Sequence, residues 1–169
     1  YGGAPELVAF ELLNEIIEPE VAEAWNQIAL HAIAEIRVFA PESWIIFGGV
    51  MYNNVLSVPM LAEVNDPKVA YTFHSYEPLI FTHQGAYWVD GMPSDFRIAY
   101  PNTIENYRES SKMLSQELAG AIFEGDLPEV GPAFFEALFQ PALKIAEERD
   151  IPLYCGEYGV IDLADNVSK

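Results

Sequence analysis

The stretch LYCGEYGV, residues 153–160, carries both the fold and the chemistry of this chain. It begins as an apolar strand through Leu153, Tyr154 and Cys155, then sets a carboxylate, Glu157, between Gly156 and Gly159. A second run, VAFELLNEI (residues 8–16), behaves the same way and ends on Asn14 and Glu15. Apolar runs that each finish on a reactive group are expected where parallel strands deliver chemistry at their C-terminal ends.

The intervening segments support that arrangement. Residues 7–14 read as the first strand. Pro19 opens a helix over residues 20–39, with Val21, Trp25, Ile28, Ala32, Ile36 and Phe39 at helical spacing and Pro41 ending it. WIIFGG (44–49) is a second strand, and SVPMLAEV (57–64) a short helix. VAYTFHSY (69–76) is a third strand after the turn signal Asn65-Asp66-Pro67. A long connection over residues 77–101 carries Phe81, Tyr87, Trp88 and Phe96, and connections of that length are usually functional. Helical patterns over 103–123 and 132–149 precede a last strand at 151–156. Strands alternating with helices predict an α/β fold with parallel pairing through right-handed crossovers and strands buried on both faces. An open doubly wound sheet and a (β/α) barrel both fit. No GxGxxG or GxxxxGK[ST] follows a strand, which weighs against the nucleotide-binding version.

The 169 residues read as a single domain, 1–169, and a content of 51% hydrophobic residues excludes disorder. Twenty-six acids against eight bases give a net charge of −18, which repels nucleic acid and anionic membrane surfaces and leaves a neutral substrate unopposed. No apolar run reaches the length of a membrane span. Cys155 is the one cysteine, so an internal disulfide and a cysteine-based zinc site are excluded. His31, His74 and His83 show no metal-ligand spacing, and neither a metal nor another cofactor is expected.

Residues two apart on a strand share a face. Leu13 and Glu15 then point one way, as do Thr72, His74 and Tyr76, and as do Leu153, Cys155 and Glu157. If those faces are the inside of one barrel, two carboxyls, an imidazole and a phenol meet at its mouth. Glycoside hydrolysis needs such a pair, one carboxyl protonated to help the leaving oxygen and one ionised to attack or stabilise the sugar. Each residue alone has a plainer reading. A strand-end glutamate is commonly solvated, Glu11 reads as a buried structural acid, and His74 alone as a satisfied core histidine. Cys155 reads as a small buried hydrophobe, and Tyr87 and Trp88 as a cap on the core. The coincidence of three strand ends favours the joint reading.

These motifs resemble glycoside hydrolase family 5, the cellulase family, whose fold is a (β/α)8 TIM barrel. FELLNE (10–15) is similar to the family's Asn-Glu motif on strand four, WIIFGG to strand five, HSY (74–76) to the His-x-Tyr of strand six and GEYG (156–159) to the nucleophile motif of strand seven. The resemblance implies a retaining endo-β-1,4-glucanase with Glu15 as acid/base and Glu157 as nucleophile. It also implies that Asn14 and His74 bind sugar and that Tyr76 holds Glu157; Trp88, an aromatic on the long loop, is expected to contact the substrate by stacking on a sugar ring. Retaining chemistry carries the two carboxyls about 5–5.5 Å apart. The glycines beside Glu157 read as room for a sugar ring. Mannan, xylan and xyloglucan are alternative substrates, a catalytically inactive carbohydrate-binding barrel fragment is an alternative function, and an unrelated open-sheet protein is a third reading.

The resemblance covers strands four to seven, so the expected architecture is a half-barrel of about four parallel strands. The family's strand-two arginine, strand-three histidine and strand-eight tryptophan have no counterpart here. Two open sheet edges predict either a piece of a longer enzyme or a homodimer that covers them. Secretion is expected from the substrate class, because polymeric glucan lies outside most cells.

Overall fold

A computed structural model of the chain describes residues 3–114 and 127–164. Val69–Ser75 (β3) holds the centre, with its first six residues all buried, as suits an apolar parallel strand covered on both faces. Trp44–Gly48 (β2) pairs with it in parallel, Ile45 opposite Val69 and Gly48 opposite Thr72. Ala9–Leu12 (β1) pairs in parallel with β2, Ala9 opposite Trp44. Leu153–Tyr158 (β4) completes the order β1-β2-β3-β4, an unclosed parallel sheet with helical crossovers, consistent with a partial (β/α)8 barrel.

The chain divides into two compact units, residues 1–74 with 139–157 and residues 75–138 with 158–169. The first contains the sheet, apart from the terminal residues of β3 and β4, and the helix Ala22–Phe39 (α1). A 3-10 turn, Pro19–Val21, leads into α1. The buried face of α1 is Trp25, Asn26, Ala29 and Ile33, one position off the stripe expected from the sequence, and Ile28 and Phe39 are exposed. Trp25 explains the phase, because its Nε1 donates to Gly48 O at 2.8 Å and turns that side of α1 onto the end of β2. Buried Asn26 donates to Met60 O and accepts from Ala62 N, tying α1 to the 3-10 segment Val55–Met60, where the sequence predicts a short helix. Arg37 donates to both oxygens of Asp66 (2.6 and 3.2 Å) and to the carbonyls of Ala40, Ser43 and Lys68. It thereby closes the turns into β2 and β3, and holds the Asp66 carboxyl below the usual carboxylate range.

Pro132–Glu148 (α4) delivers the chain to β4. Beyond it, Arg149 Nη1 donates to Leu61 O at 2.7 Å and to the Tyr71 hydroxyl at 3.0 Å, while that hydroxyl donates to Ala62 O. Burial pushes the Tyr71 phenol up in pKa, which keeps it a donor. Tyr71 N then donates to Pro152 O, so this cluster sets where β4 begins.

The outer strands correct the expectation of strands buried on both faces. Every residue of β4 is half-buried or exposed, and β1 buries only Leu12. Among the described residues, each is an edge of the sheet with a neighbouring strand on one side alone. Glu11 is accordingly exposed rather than a buried structural acid, and Cys155 is half-buried rather than a core residue.

In the second unit the connection over residues 77–101 contains one short helix, Leu79–Thr82 (α2), and a succession of turns. Ile104–Ser111 (α3) is capped by Thr103 Oγ1, which accepts from Asn106 N at 3.1 Å. The helix expected over 103–123 is thus described only to Ser111, and its part beyond residue 114 lies outside the described residues. Buried Tyr107 donates to Ala99 O at 2.8 Å, and Ile161 N to Thr82 O at 2.8 Å. No helix among the described residues is long and apolar enough to cross a membrane.

Candidate active site

Strand alternation does not carry Glu15 to the site. β1 ends at Leu12, and Leu13 and Glu15 both take left-handed backbone (φ 58° and 46°). Positive φ is costly for such residues and persists where the surroundings enforce it. The turn directs Glu15 toward β3, where His74 Nδ1 lies 2.7 Å from Glu15 Oε1. His74 Nδ1 is also 3.5 Å from Glu157 Oε2 on β4. One donor atom from each of the three residues lies within 4.8 Å of the other two, so strand ends 59 residues apart in sequence do converge.

The burial is graded. His74 is 2% exposed at its side chain, Glu15 30% and Glu157 45%. The imidazole is the fixed base of the cluster and the carboxyls are its open face. A neutral imidazole with its proton on Nδ1 donates to Glu15 and still faces Glu157, while Nε2 lies 3.5 Å from the Nδ2 of Asn53. Two carboxylates and an imidazole could also hold a divalent cation by donor type. His74 Nδ1 is already committed to Glu15, and an ion would have to displace that bond.

Gly156 has a role that the sequence reading misassigned. A Cβ at this position would lie 2.8 Å from Thr72 Oγ1 and 3.5 Å from His74 Nε2. The room beside Gly156 is therefore filled by β3 side chains rather than left for a sugar, whereas a Cβ at Gly159 would meet nothing within 4 Å. Thr72 Oγ1 is buried with no hydrogen-bond partner among the described residues, which is the cost of this close strand approach. Gly156→Ala should destabilise the chain by about 1–3 kcal/mol through overpacking. It should also perturb the His74 ring signals in NMR spectra; a variant with unchanged melting and unchanged His74 signals would refute this packing account.

The remaining sequence candidates are distributed differently. Asn14 is exposed at the bend after β1. Tyr76 and Trp88 belong to the second unit. There the Tyr76 ring meets His83 edge to face at 5.2 Å, and Thr82 Oγ1 donates to Tyr76 O. Trp88 is exposed and packs edge to face on Tyr87 at 4.9 Å, beside an open depression of about 510 Å³ lined by Tyr87, Trp88, Asp90 and Met92. Ala86, Val89 and Met92 are buried at three-residue intervals, so the two aromatics stand on an anchored turn. Asn53 escaped the sequence reading altogether. Its signal was available in MYNN (51–54), since asparagine after a strand end is the residue best suited to left-handed backbone.

A family model described as cellulase (glycosyl hydrolase family 5) matches residues 1–169. The chain is 33% identical over 165 residues to endoglucanase C of Acetivibrio thermocellus, covering 97% of this chain and 47% of that protein. It is 36% identical over 163 residues to cellodextrinase A of Ruminococcus flavefaciens, covering 96% of this chain and 41% of that one. Among solved structures, endoglucanase Cel5A of Thermotoga maritima superposes with a TM-score of 0.69 at 26% identity, over 99% of this chain and 46% of that chain. The chain spans less than half the length of each of these relatives.

Proposed function

Because the chain belongs to glycosyl hydrolase family 5 along its whole length, we propose that it supplies the acid/base and the nucleophile of a retaining β-glycosidase acting on β-1,4-glucan. The observation that carries this reading is the pair of glutamates flanking one buried imidazole, with donor oxygens within 4.8 Å of each other. That spacing suits direct attack by a carboxylate rather than insertion of a water between the two.

In the first step a Glu157 oxygen bonds to the anomeric carbon as the glycosidic C–O bond breaks, and Glu15 passes its proton to the departing oxygen. In the second step a water gives a proton to Glu15 and its oxygen bonds to the anomeric carbon, which releases Glu157 as the carboxylate. His74 accounts for one Glu15 oxygen and leaves the other to carry the transferable proton. Asn14, exposed beside Glu15, is available to bind a sugar hydroxyl, and the Tyr87–Trp88 pair offers a ring face for stacking. A charge of −18 is compatible with a neutral polysaccharide.

Relatives named as endoglucanase and cellodextrinase support glucan as the substrate. A second reading, mannan, is favoured by the Thermotoga relative, a structure of which holds mannotriose. Reducing-sugar release from soluble cellulose and from mannan, each with the purified chain, separates the two. Binding of oligosaccharide without release from either polymer would replace both with the inactive binding fragment. Secretion goes with a polymeric substrate. The exposed edges β1 and β4 support a homodimer through strand pairing, and light scattering should return twice the mass of one chain; a monomer at every concentration would defeat that part.

A further inference from the structure

We infer that Asn53 is a positioning residue for this site: its backbone sets where His74 stands, and its amide places a donor beside Nε2 that favours the ring proton on Nδ1, the nitrogen facing the carboxylates. The functional half of this inference rests on the glycosidase reading of Glu15 and Glu157; the structural half stands apart from it.

The backbone argument starts where β2 ends, at Gly48. Three successive residues, Met51, Tyr52 and Asn53, have φ of 53°, 59° and 54°. Asparagine tolerates this region, but methionine and tyrosine pay for it, so the turn persists only because neighbours hold it. Those neighbours are the site itself. Tyr52 N donates to Ile16 O at 3.0 Å, one residue beyond Glu15, and His74 N donates to Asn53 O at 2.8 Å. Asn54 also bridges to His74 in the parallel sense. Past the last regular strand pairs, hydrogen bonding therefore continues from the Glu15 loop through the left-handed turn to His74. The turn is the spacer that brings the carboxyl and the imidazole to 2.7 Å.

The side chain adds an orienting contact. Asn53 is 2% exposed, and its amide occupies the place a Cβ on Gly48 would take, 2.7–2.8 Å from that position. Its Nδ2 lies 3.5 Å from His74 Nε2. An amide N–H at that nitrogen requires a free lone pair there, so the ring proton goes to Nδ1, toward Glu15 at 2.7 Å and Glu157 at 3.5 Å. A 3.5 Å contact is long for a hydrogen bond, whereas the 2.8 Å backbone bond is not. Removing the amide should thus disturb the surroundings of His74 Nε2 more than the path of the chain.

The test uses the purified chain with Asn53→Gly, which keeps left-handed backbone and removes the amide, and Asn53→Asp, which keeps the shape and replaces the donor by an acceptor. Nitrogen-15 spectra of the His74 ring should report a proton on Nδ1 alone in the wild type, a shifted Nε2 signal in Asn53→Gly as that nitrogen loses its neighbouring donor, and protons on both nitrogens in Asn53→Asp, where a carboxylate faces each of them. With soluble cellulose, kcat should fall about tenfold to a hundredfold in both variants, by analogy with the loss when the outer hydrogen-bond partner of a metal-bound histidine is removed, while KM stays nearly unchanged. Ring spectra identical to wild type in a folded variant, or an unchanged kcat, would overturn the inference. Spectra that shift as stated in a chain that releases no sugar would instead uphold the positioning role and sink the glycosidase reading. Asn53→Asp keeps the experiment decisive should Asn53→Gly not fold.

Discussion

Glu157→Gln should abolish turnover of soluble cellulose, lowering kcat by roughly 10⁴-fold or more, the scale of loss when an enzyme's nucleophile is removed. The substitution keeps the shape of the side chain and removes only its negative charge and its capacity to bond to carbon. Glu157 is 45% exposed at its side chain and sits on the sheet edge, so thermal unfolding should hardly move. That separation matters, because a variant that loses activity by unfolding would prove nothing about the site. Wild-type chain quenched in acid during turnover should yield a peptide over residues 153–160 heavier by a glycosyl unit, and the Gln variant should not. Residual activity above a tenth of wild type, or a glycosyl group found on another residue, would remove Glu157 from the nucleophile role.

Glu15→Gln should produce a different pattern, and the difference is what identifies an acid/base. On cellulose, where the leaving oxygen must be protonated, kcat should fall by about 10²–10⁴-fold. An aryl cellobioside whose phenol leaves as a stable anion does not need that proton, so its first step should be largely spared. Its second step still lacks a base to deprotonate water, and the glycosyl-enzyme should accumulate, giving a burst of phenol followed by slow turnover. The Gln carbonyl can still accept from His74 Nδ1, so the local structure should survive. Equal losses on cellulose and on the aryl substrate, with no burst, would show that Glu15 holds the site together without transferring a proton.

The order of strands and helices was legible because uninterrupted apolar runs and 3.6-residue periodicity report burial directly. LYCGEYGV and VAFELLNEI led to Glu157 and Glu15, and the structure brings both to His74. The route was misread. Alternation assumed that β1 ran on to Glu15, but the strand stops at Leu12 and left-handed residues redirect the chain. No local pattern announces positive φ in leucine or glutamate, since it is imposed by partners distant in sequence. The same limit explains Asn53, which acts through a residue 21 positions away. Gly156 looked like space for a ligand because a sequence shows that a side chain is missing and not what fills the gap. Burial of β4 was overestimated for a related reason: composition records that a run can be buried, and sheet order decides whether it is.

The position of β4 also divides the site by local stability. His74 lies on the fully covered central strand, whose amides should exchange with solvent only when the sheet opens as a whole. Glu157 lies on an outer strand that ends on exposed Glu157 and Tyr158, where fraying costs far less. The imidazole and the nucleophile therefore belong to parts of the protein that open at different free energies. Heating or mild denaturant should detach Glu157 from His74 before β3 opens, so catalytic alignment would be lost well before the fold.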